Sequence, residues 1–375
     1  VQPTRVFPDS EATSEVIVGS HLTLTSDPAT QCFLGMSKPE GAATFSVDQR
    51  CMHAFGGAGI DFGAHVVMGA PMDDSSVIPP ADLFVAKSPT SGFAMYYRLH
   101  ANAVFSPSVA PGSMAMPTAP VSVPGFVMAL GATDAEGTFA LVAKSGAPTL
   151  AGAHLHADGT IALGPDLVCA TNNGHARAVA RVGKSDVVVT TFDGGTLPDC
   201  KPVPNSKGIQ LRSTAPGSTL LVEPLTGFPS TLAITPFGAN EAFVVVVENA
   251  GASNRLRAFR LSEKAEIEAA YDVGPVEAGF GISAAELGGA LLVVGDAPHT
   301  PGIMDTSGLR ARLVDPDSGA VMTTLDLPLP SPGVDSPEAP TIVTSPDGTE
   351  ALFGFFVQPV GTGGRDFVAR LDCKP

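Results

Sequence analysis

The chain has 375 residues, of which 41 are Gly and 34 Pro; Trp is absent and only 15% of residues are charged. Turn-formers at that frequency cut the chain into short elements and exclude long helices, while a hydrophobic content of 44% is enough for a large core and argues against general disorder. The 37 acidic residues against 21 basic ones leave a formal charge of −16, the wrong sign for a phosphate-backbone binder or for docking on an anionic membrane, so nucleic acid is not expected as a partner.

The longest apolar stretches, such as Ala242 to Val247 and Leu352 to Val357, fall far short of the roughly 18 to 20 residues a membrane helix needs, so no transmembrane segment is expected. The numbering begins at Val1, and residues 1–15 have neither a basic start nor an apolar run, which is the expectation for a processed mature chain. The first strand signal is the run Glu15 to Leu24. Five cysteines, at 32, 51, 169, 200 and 373, lack the paired spacing of a zinc ribbon or a haem attachment motif. Proximity in sequence pairs Cys32 with Cys51 and Cys169 with Cys200, leaving Cys373 as a free thiol or the source of an intermolecular disulfide. Such pairing implies an oxidising compartment, the alternative being five reduced thiols in a cytosolic protein. The chain has no N-x-[ST] acceptor and is rich in Ala, Gly, Val and Pro, so a bacterial exported protein is expected, secreted, periplasmic or on the cell surface.

Further along, β-rich runs recur with a turn before each: Phe139 to Ala143, Asp186 to Thr191, Ala242 to Val247, Ala290 to Val294 and Ala351 to Val357. Their starts lie about 50 to 60 residues apart, the period of a solenoid or propeller. Each follows a shorter strand and a tight turn, as in Ala178 to Ser185, Leu232 to Ala239 and Ile342 to Thr349, so a hairpin is repeated. An earlier copy is expected over Met52 to Met68, turning near Gly56-Gly57-Ala58-Gly59. Downstream of each hairpin a polar residue precedes Leu, at Arg98, His154, Gln210, Arg260, Arg312 and Arg370; subtraction gives spacings of 56, 56, 50, 52 and 58. Turn chemistry then leads into another strand, as in Asp158-Gly159-Thr160-Ile161 and in Asp315 to Val321. Each unit reads as a four-stranded meander, with strands A to D.

This pattern resembles the β-propeller superfamily over nearly the whole chain. Ser345-Pro346-Asp347-Gly348-Thr349 before an apolar strand looks like the turn of YVTN-type propellers, and Leu287-Gly288-Gly289 before Leu291 to Gly295 is similar to kelch repeats. No specific family follows from these motifs. The expectation is an all-β, six-bladed propeller of four-stranded antiparallel blades, with seven blades as the alternative. The six blades fall at approximately 51–115, 125–170, 175–225, 230–275, 280–330 and 340–375. The last repeat ends after its third strand, so the N-terminal strand at about 15–24 is expected to complete it. Residues 25–50 and the insertion at 106–124 are left without a place.

In a propeller, B–C loops share a face with the passages from one blade's D strand to the next blade's A strand. That mapping gathers Asp73, Asp74, Asp193, Asp199, Asp296, His299 and Asp305 from B–C loops, with Asn172, Asn173, His175, Asp335 and Glu338 from passages between blades. It also puts all four paired cysteines on this face, Cys373 on the other, and His53 and His175 near the starts of innermost strands, where either could act as base or ligand. Converging oxygen ligands suit calcium, for which His53, Asn172, His175, Asp296 and Asp335 are the candidate set; the same residues also suit solvated turns. His154 and His156 could chelate zinc or copper, but the slot of His154 holds Arg or Gln in other repeats and reads as a recurrent surface position. Motifs for a nucleophile are missing: there is no G-x-S-x-G or S-x-x-K, and Gly183-Lys184-Ser185 lacks the upstream Gly of a phosphate loop because position 178 is Ala. The leading expectation is a non-catalytic module that binds a protein, glycan or assembly partner. The alternative, implied by the resemblance to calcium lactonases, is a metal-dependent hydrolase or lyase with its site at the channel mouth.

Overall fold

The computed structural model describes residues 4–6, 14–15, 21–24, 27, 29–39, 44–73, 81–88, 92–99, 102–113, 119–120, 125–144, 146–170, 176–193, 200, 206–249, 254–276, 281–296, 308–328, 334–359 and 365–372. The regular elements among them are strands. The chain begins with β1 (Thr4–Arg5), β2 (Ser14–Glu15), β3 (His21–Leu24), β4 (Gln31–Pro39), β5 (Thr44–His53) and β6 (Asp61–Asp73). Then follow β7 (Ala81–Lys87), β8 (Phe93–Leu99), β9 (Asn102–Val109) and β10 (Ala119–Pro120), and next β11 (Gly125–Asp134), β12 (Gly137–Lys144), β13 (Thr149–Leu155) and β14 (Ile161–Cys169). The fourth group is β15 (Arg177–Val182), β16 (Ser185–Asp193), β17 (Lys207–Ser213) and β18 (Leu221–Pro224); the fifth is β19 (Phe228–Phe237), β20 (Glu241–Asn249), β21 (Asn254–Ser262) and β22 (Ile267–Val276). Last come β23 (Ile282–Leu287), β24 (Ala290–Asp296), β25 (Gly308–Val314) and β26 (Val321–Pro328), then β27 (Val334–Thr344), β28 (Glu350–Pro359) and β29 (Arg365–Asp372).

These strands form seven separate sheets, each an antiparallel meander. Their first strands, β3, β7, β11, β15, β19, β23 and β27, neighbour one another in that order, and β27 lies beside β3. The architecture is a seven-bladed β-propeller, so the six-bladed expectation is corrected. The stretch read as one blade over 51–115 holds parts of two. Residues 25–50, left without a place, carry β4 and most of β5, and Met52 to Met68 belong to the third and fourth strands of the first blade rather than to an A–B hairpin.

The segment at 15–24 is also corrected. Its strands β2 and β3 both pair with β4, Glu15 opposite Lys38 and His21 opposite Leu34, on the inner side of the first blade. In the last blade it is β1 that lies outside β29, with Thr4 opposite Val368 and Arg5 opposite Phe367. Val6 continues that contact through its N–H to the Asp366 carbonyl, and packs with Met52, Leu352 and Val368.

The five apolar runs seen in the sequence are the B strands β12, β16, β20, β24 and β28. Each is buried on both faces, which is why alternation is lost: a sheet covered on both sides reads as a continuous hydrophobic run. Along β20, Ala242, Val244 and Val246 pack with the fourth blade, while Phe243, Val245 and Val247 pack with the sixth. Likewise Leu291 and Val293 of β24 face the fifth blade, and Leu292 and Val294 face the seventh. The outer strands are the opposite case, with Ala162 to Asp166 of β14 and Val321 to Asp326 of β26 exposed.

The polar-Leu pairs lie on third strands in the third to seventh blades, but Arg98 lies on β8, a second strand. Nor is the slot a surface position. Gln210 is fully buried, its Oε1 accepting from the Cys169 N–H of the third blade at 3.0 Å. Arg312 donates to the Pro275 carbonyl of the fifth blade at 2.6 Å, and Arg370 to the Ala54 and Gly57 carbonyls of the first at 2.7 and 2.8 Å. At these three positions a long polar side chain crosses between blades to satisfy a backbone group, whereas Arg260 meets the carboxylates of Glu241 and Asp317.

Turns at the A–B ends are tight. Leu287 pairs with Ala290 across Gly288 and Gly289, whose φ values of 61° and 74° suit a two-residue hairpin. In the last blade, Asp347 Oδ1 accepts from Ser345 Oγ, the Thr349 N–H and Thr349 Oγ1 at 2.6, 3.1 and 2.9 Å. The two turns meet through the Gly288 N–H and the Gly348 carbonyl at 2.7 Å. Tyr271 of β22 joins the fifth and sixth blades in another way, its hydroxyl donating to the Pro316 carbonyl at 2.9 Å. Its ring lies against Gly319, where a Cβ would stand 2.4 Å from ring carbons at a φ of 72°. Gly319→Ala should accordingly destabilise by about 2 to 3 kcal/mol in denaturant unfolding, and Tyr271→Phe by about 1 kcal/mol. A Gly319→Ala protein as stable as the wild type would contradict this docking of the two blades.

Candidate functional site

Antiparallel meanders put A–B and C–D turns at one face of the propeller and B–C and D–A connections at the other. Four candidate aspartates border the second face: Asp73 ends β6, Asp193 ends β16, Asp296 ends β24, and Asp335 is the second residue of β27. They differ in distance from the channel. Asp335 is on an innermost strand, Asp193 and Asp296 are one strand further out, and Asp73 is on an outermost strand, about 14 Å out at the usual strand spacing. Glu338 lies within β27 opposite Phe356. Asp74, Asn172, Asn173, His175, Asp199, His299, Asp305 and Cys373 lie outside the described residues. Among the described residues no group of three or more His, Cys, Asp or Glu is arranged to hold a metal.

His53 is not with the aspartates. It ends β5, the third strand of the first blade, on the opposite face and away from the start of any innermost strand. Its Nδ1 is 3.0 Å from the Ala29 carbonyl, which can only accept, so Nδ1 carries the proton and the neutral ring keeps its lone pair on Nε2. Asp61 sits directly across the strand pair, and the two residues line a cavity of ≈ 300 Å³ with Thr30, Cys51, Phe62 and Gly112.

Both expected disulfides are present. Cys32 and Cys51 are directly opposite on β4 and β5, with their Cα atoms 4.0 Å apart. They lie toward the face of His53, which corrects their expected placement with the other pair. Cys169 ends β14 and Cys200 lies in the B–C connection of the fourth blade, so this bond ties two blades together on the aspartate face.

The sequence reading missed a charge network between the third and fourth blades. Arg181 donates to both oxygens of Asp186, each at 2.9 Å, and to Asp134 at 2.8 Å. Burial raises the Asp186 carboxyl despite its arginine partner. Burial also works against Asp134 as a carboxylate, but the Arg181 hydrogen bond and charge outweigh it and leave that group lowered. Every member is paired, which suits a fastener between blades more than a reactive centre. A charged residue flanking a two-residue turn, as Arg181 and Asp186 flank Gly183-Lys184, was the available signal.

No known family pattern matches the sequence, and no curated protein is similar to it in sequence. Solved structures are similar in fold. The chain is similar over 96% of its length to the whole of KlAtg21, solved in complex with the coiled coil of AgAtg16, at 10% identity and a TM-score of 0.51. It is similar over its full length to 89% of a lignostilbene dioxygenase from Pseudomonas brassicacearum, at 10% identity and a TM-score of 0.50. A third is the β-propeller domain of the Trilobed protease from Pyrococcus furiosus, at 6% identity and a TM-score of 0.49. What they share is the β-propeller. Identities this low show the fold alone, because one propeller scaffold carries unrelated activities.

Two outcomes check this site. Loss of the Cys169–Cys200 bond, which spans a sequence separation of 31, should lower stability by about 3 to 4 kcal/mol on the chain-entropy estimate; Cys200→Ser in denaturant unfolding measures it. On the turn face, Asp158, Asp315 and Asp347 are lowered below 3.8, chiefly by hydrogen bonds from Thr160, Ser318 and Ser345 respectively. Their contribution is present above 3.8 and lost as pH falls through their folded values, so thermal midpoints should hold at mildly acidic pH and drop below 3.8. A midpoint that rises on that acidification would contradict the sign.

Proposed function

We propose that this chain is a non-catalytic binding module, exported into an oxidising compartment, that presents its B–C and D–A face to a protein or glycan partner. The observation that carries this is the Cys169–Cys200 bond, which fixes a long B–C connection, 194–206, to the neighbouring blade. A tied connection loses little further freedom on binding, so contacts made there convert more fully into affinity. The sixth blade has a comparable connection at 297–307, whereas the A–B turns of both blades at the opposite face are two residues long, 183–184 and 288–289. With a net charge of −16 and aspartates at the strand ends of this face, the partner surface is expected to be cationic. Disulfides fit an oxidising compartment, and among the described residues no helix is long and apolar enough to cross a membrane.

The positions of Asp193, Asp296 and Asp335, on one face and within two strands of the channel, also favour a second reading. In it they hold calcium for a hydrolase or lyase. Calorimetric titration with calcium, a lactone and ester hydrolysis assay, and binding to glycan arrays and basic peptides decide between the two. The binding module should show partner capture that weakens with salt and weakens further in Asp193→Asn/Asp296→Asn/Asp335→Asn. Stoichiometric calcium uptake with calcium-dependent turnover would overturn it in favour of the enzyme.

A further inference from the structure

A cavity of ≈ 350 Å³ opens at the rim between the third and fourth blades, separate from the channel and from the aspartate face. That volume is at the lower end of the range for small-molecule sites, about 300 to 1,000 Å³. Two glycines on adjacent strands line it, and their neighbours pack tightly against both. A Cβ on Gly152 of β13 would lie 3.0 Å from Leu167 Cδ1 and 3.1 Å from the Phe139 ring, and one on Gly164 of β14 would lie 3.0 Å from the Gly152 carbonyl oxygen. Phe139, Leu167 and Pro165 give it an apolar wall.

Most polar groups around the cavity are already engaged. Ser213 Oγ accepts from the Ala215 N–H, Thr214 Oγ1 from the Asp186 N–H, and Ser218 Oγ accepts from the Ser213 N–H while donating to the Lys264 carbonyl. Two are not. His154 Nδ1 is buried without a hydrogen-bond partner. Its Nε2 faces Glu136 at 3.6 Å, which favours the proton on Nε2 and leaves Nδ1 as a bare acceptor. Arg212 donates through Nη1 to the Asp166 and Leu167 carbonyls at 3.2 and 3.5 Å, but among the described residues it meets no carboxylate. The carboxylate nearest in sequence to those carbonyls, that of Asp166, is taken by Lys144 at 2.7 Å.

We propose that this inter-blade cavity is a binding site for a small hydroxycarboxylate. Arg212 takes the carboxylate, His154 Nδ1 accepts from the hydroxyl, and the Phe139, Pro165 and Leu167 wall covers the apolar body. The three recognition elements come from two blades, so occupancy also fastens the third blade to the fourth. The site is independent of the face proposed above for the macromolecular partner, and neither depends on the other being correct.

Mandelate and phenylacetate are the probes, since they share the ring and carboxylate and differ in the hydroxyl. Both are titrated into the full chain at up to millimolar concentrations, with binding read by calorimetry and ligand-observed NMR. Mandelate should bind about tenfold more tightly than phenylacetate, the difference reflecting one buried hydrogen bond. In His154→Phe that gap should close while phenylacetate affinity stays the same. Arg212→Gln should weaken both ligands by tenfold or more, and Arg212→Lys should restore part of the loss. Thermal melts of each variant without ligand establish that it is folded. Failure of mandelate to bind the folded wild type, equal affinity for the two probes, or undiminished binding in folded Arg212→Gln would each overturn the proposal.

Discussion

Burial of each sheet on both faces is the constraint on which the rest of this structure depends. A blade on its own would expose two apolar surfaces; only its neighbours cover them, and only a ring gives every blade two neighbours. The B strands show the requirement most plainly. In β20 six consecutive residues from Ala242 to Val247 alternate between two separate cores, three facing each way. A side chain that faced water in an ordinary half-exposed sheet here faces another blade, so period-2 alternation disappears from the sequence while the strand geometry keeps it.

Polar side chains are held by the same constraint. A backbone group buried between blades has no water, and the chain supplies partners from the next sheet: Gln210 to the Cys169 N–H, Gln49 to the Gly112 N–H, and Arg312 and Arg370 to carbonyls. The Arg181, Asp186 and Asp134 network does the same with full charges, each carboxylate meeting the guanidinium in a seam where a lone charge would be costly. At the cavity between the third and fourth blades, His154 Nδ1 has no partner and Arg212 meets only carbonyls. The match is incomplete elsewhere too, since the Nε2 groups of Gln49 and Gln210 are buried without partners.

How much of this was legible in the sequence follows from which strands carry the signal. Five B strands are long apolar runs, so blades three to seven could be read from Phe139 onward, and both disulfides followed from the nearness of their cysteines. The first two blades could not. Their second strands, β4 and β8, mix Gly35, Met36 and Lys38, or Tyr96, Tyr97 and Arg98, into the run, and the third strand of the first blade has Arg50 followed by Cys51 where later blades have a polar residue followed by Leu. Arg98, on a second strand, happened to fall 56 residues before His154 on a third strand, which kept the spacing regular and concealed a blade. Within the N-terminal run 15–24, Glu15 and His21–Leu24 are in strands; which sheet they join depends on β4, which had not been assigned. Of the site, the aspartates at strand ends were legible because turn chemistry marks where strands stop, but His53 was assigned to the wrong face once its hairpin had been taken for A–B. The cavity between the third and fourth blades was invisible, because it depends on side chains from two blades at once.

Double-sided burial is most directly tested by comparing adjacent residues of one B strand. Val245 and Val246 are neighbours on β20, one packed toward the sixth blade and the other toward the fourth. Denaturant unfolding of Val245→Ala and Val246→Ala should show each losing about 2 kcal/mol, because each removes buried methyl groups from a different core. A near-neutral result for one of the pair would mean that one face of the sheet is open to solvent, and would contradict the closed packing of blades described above.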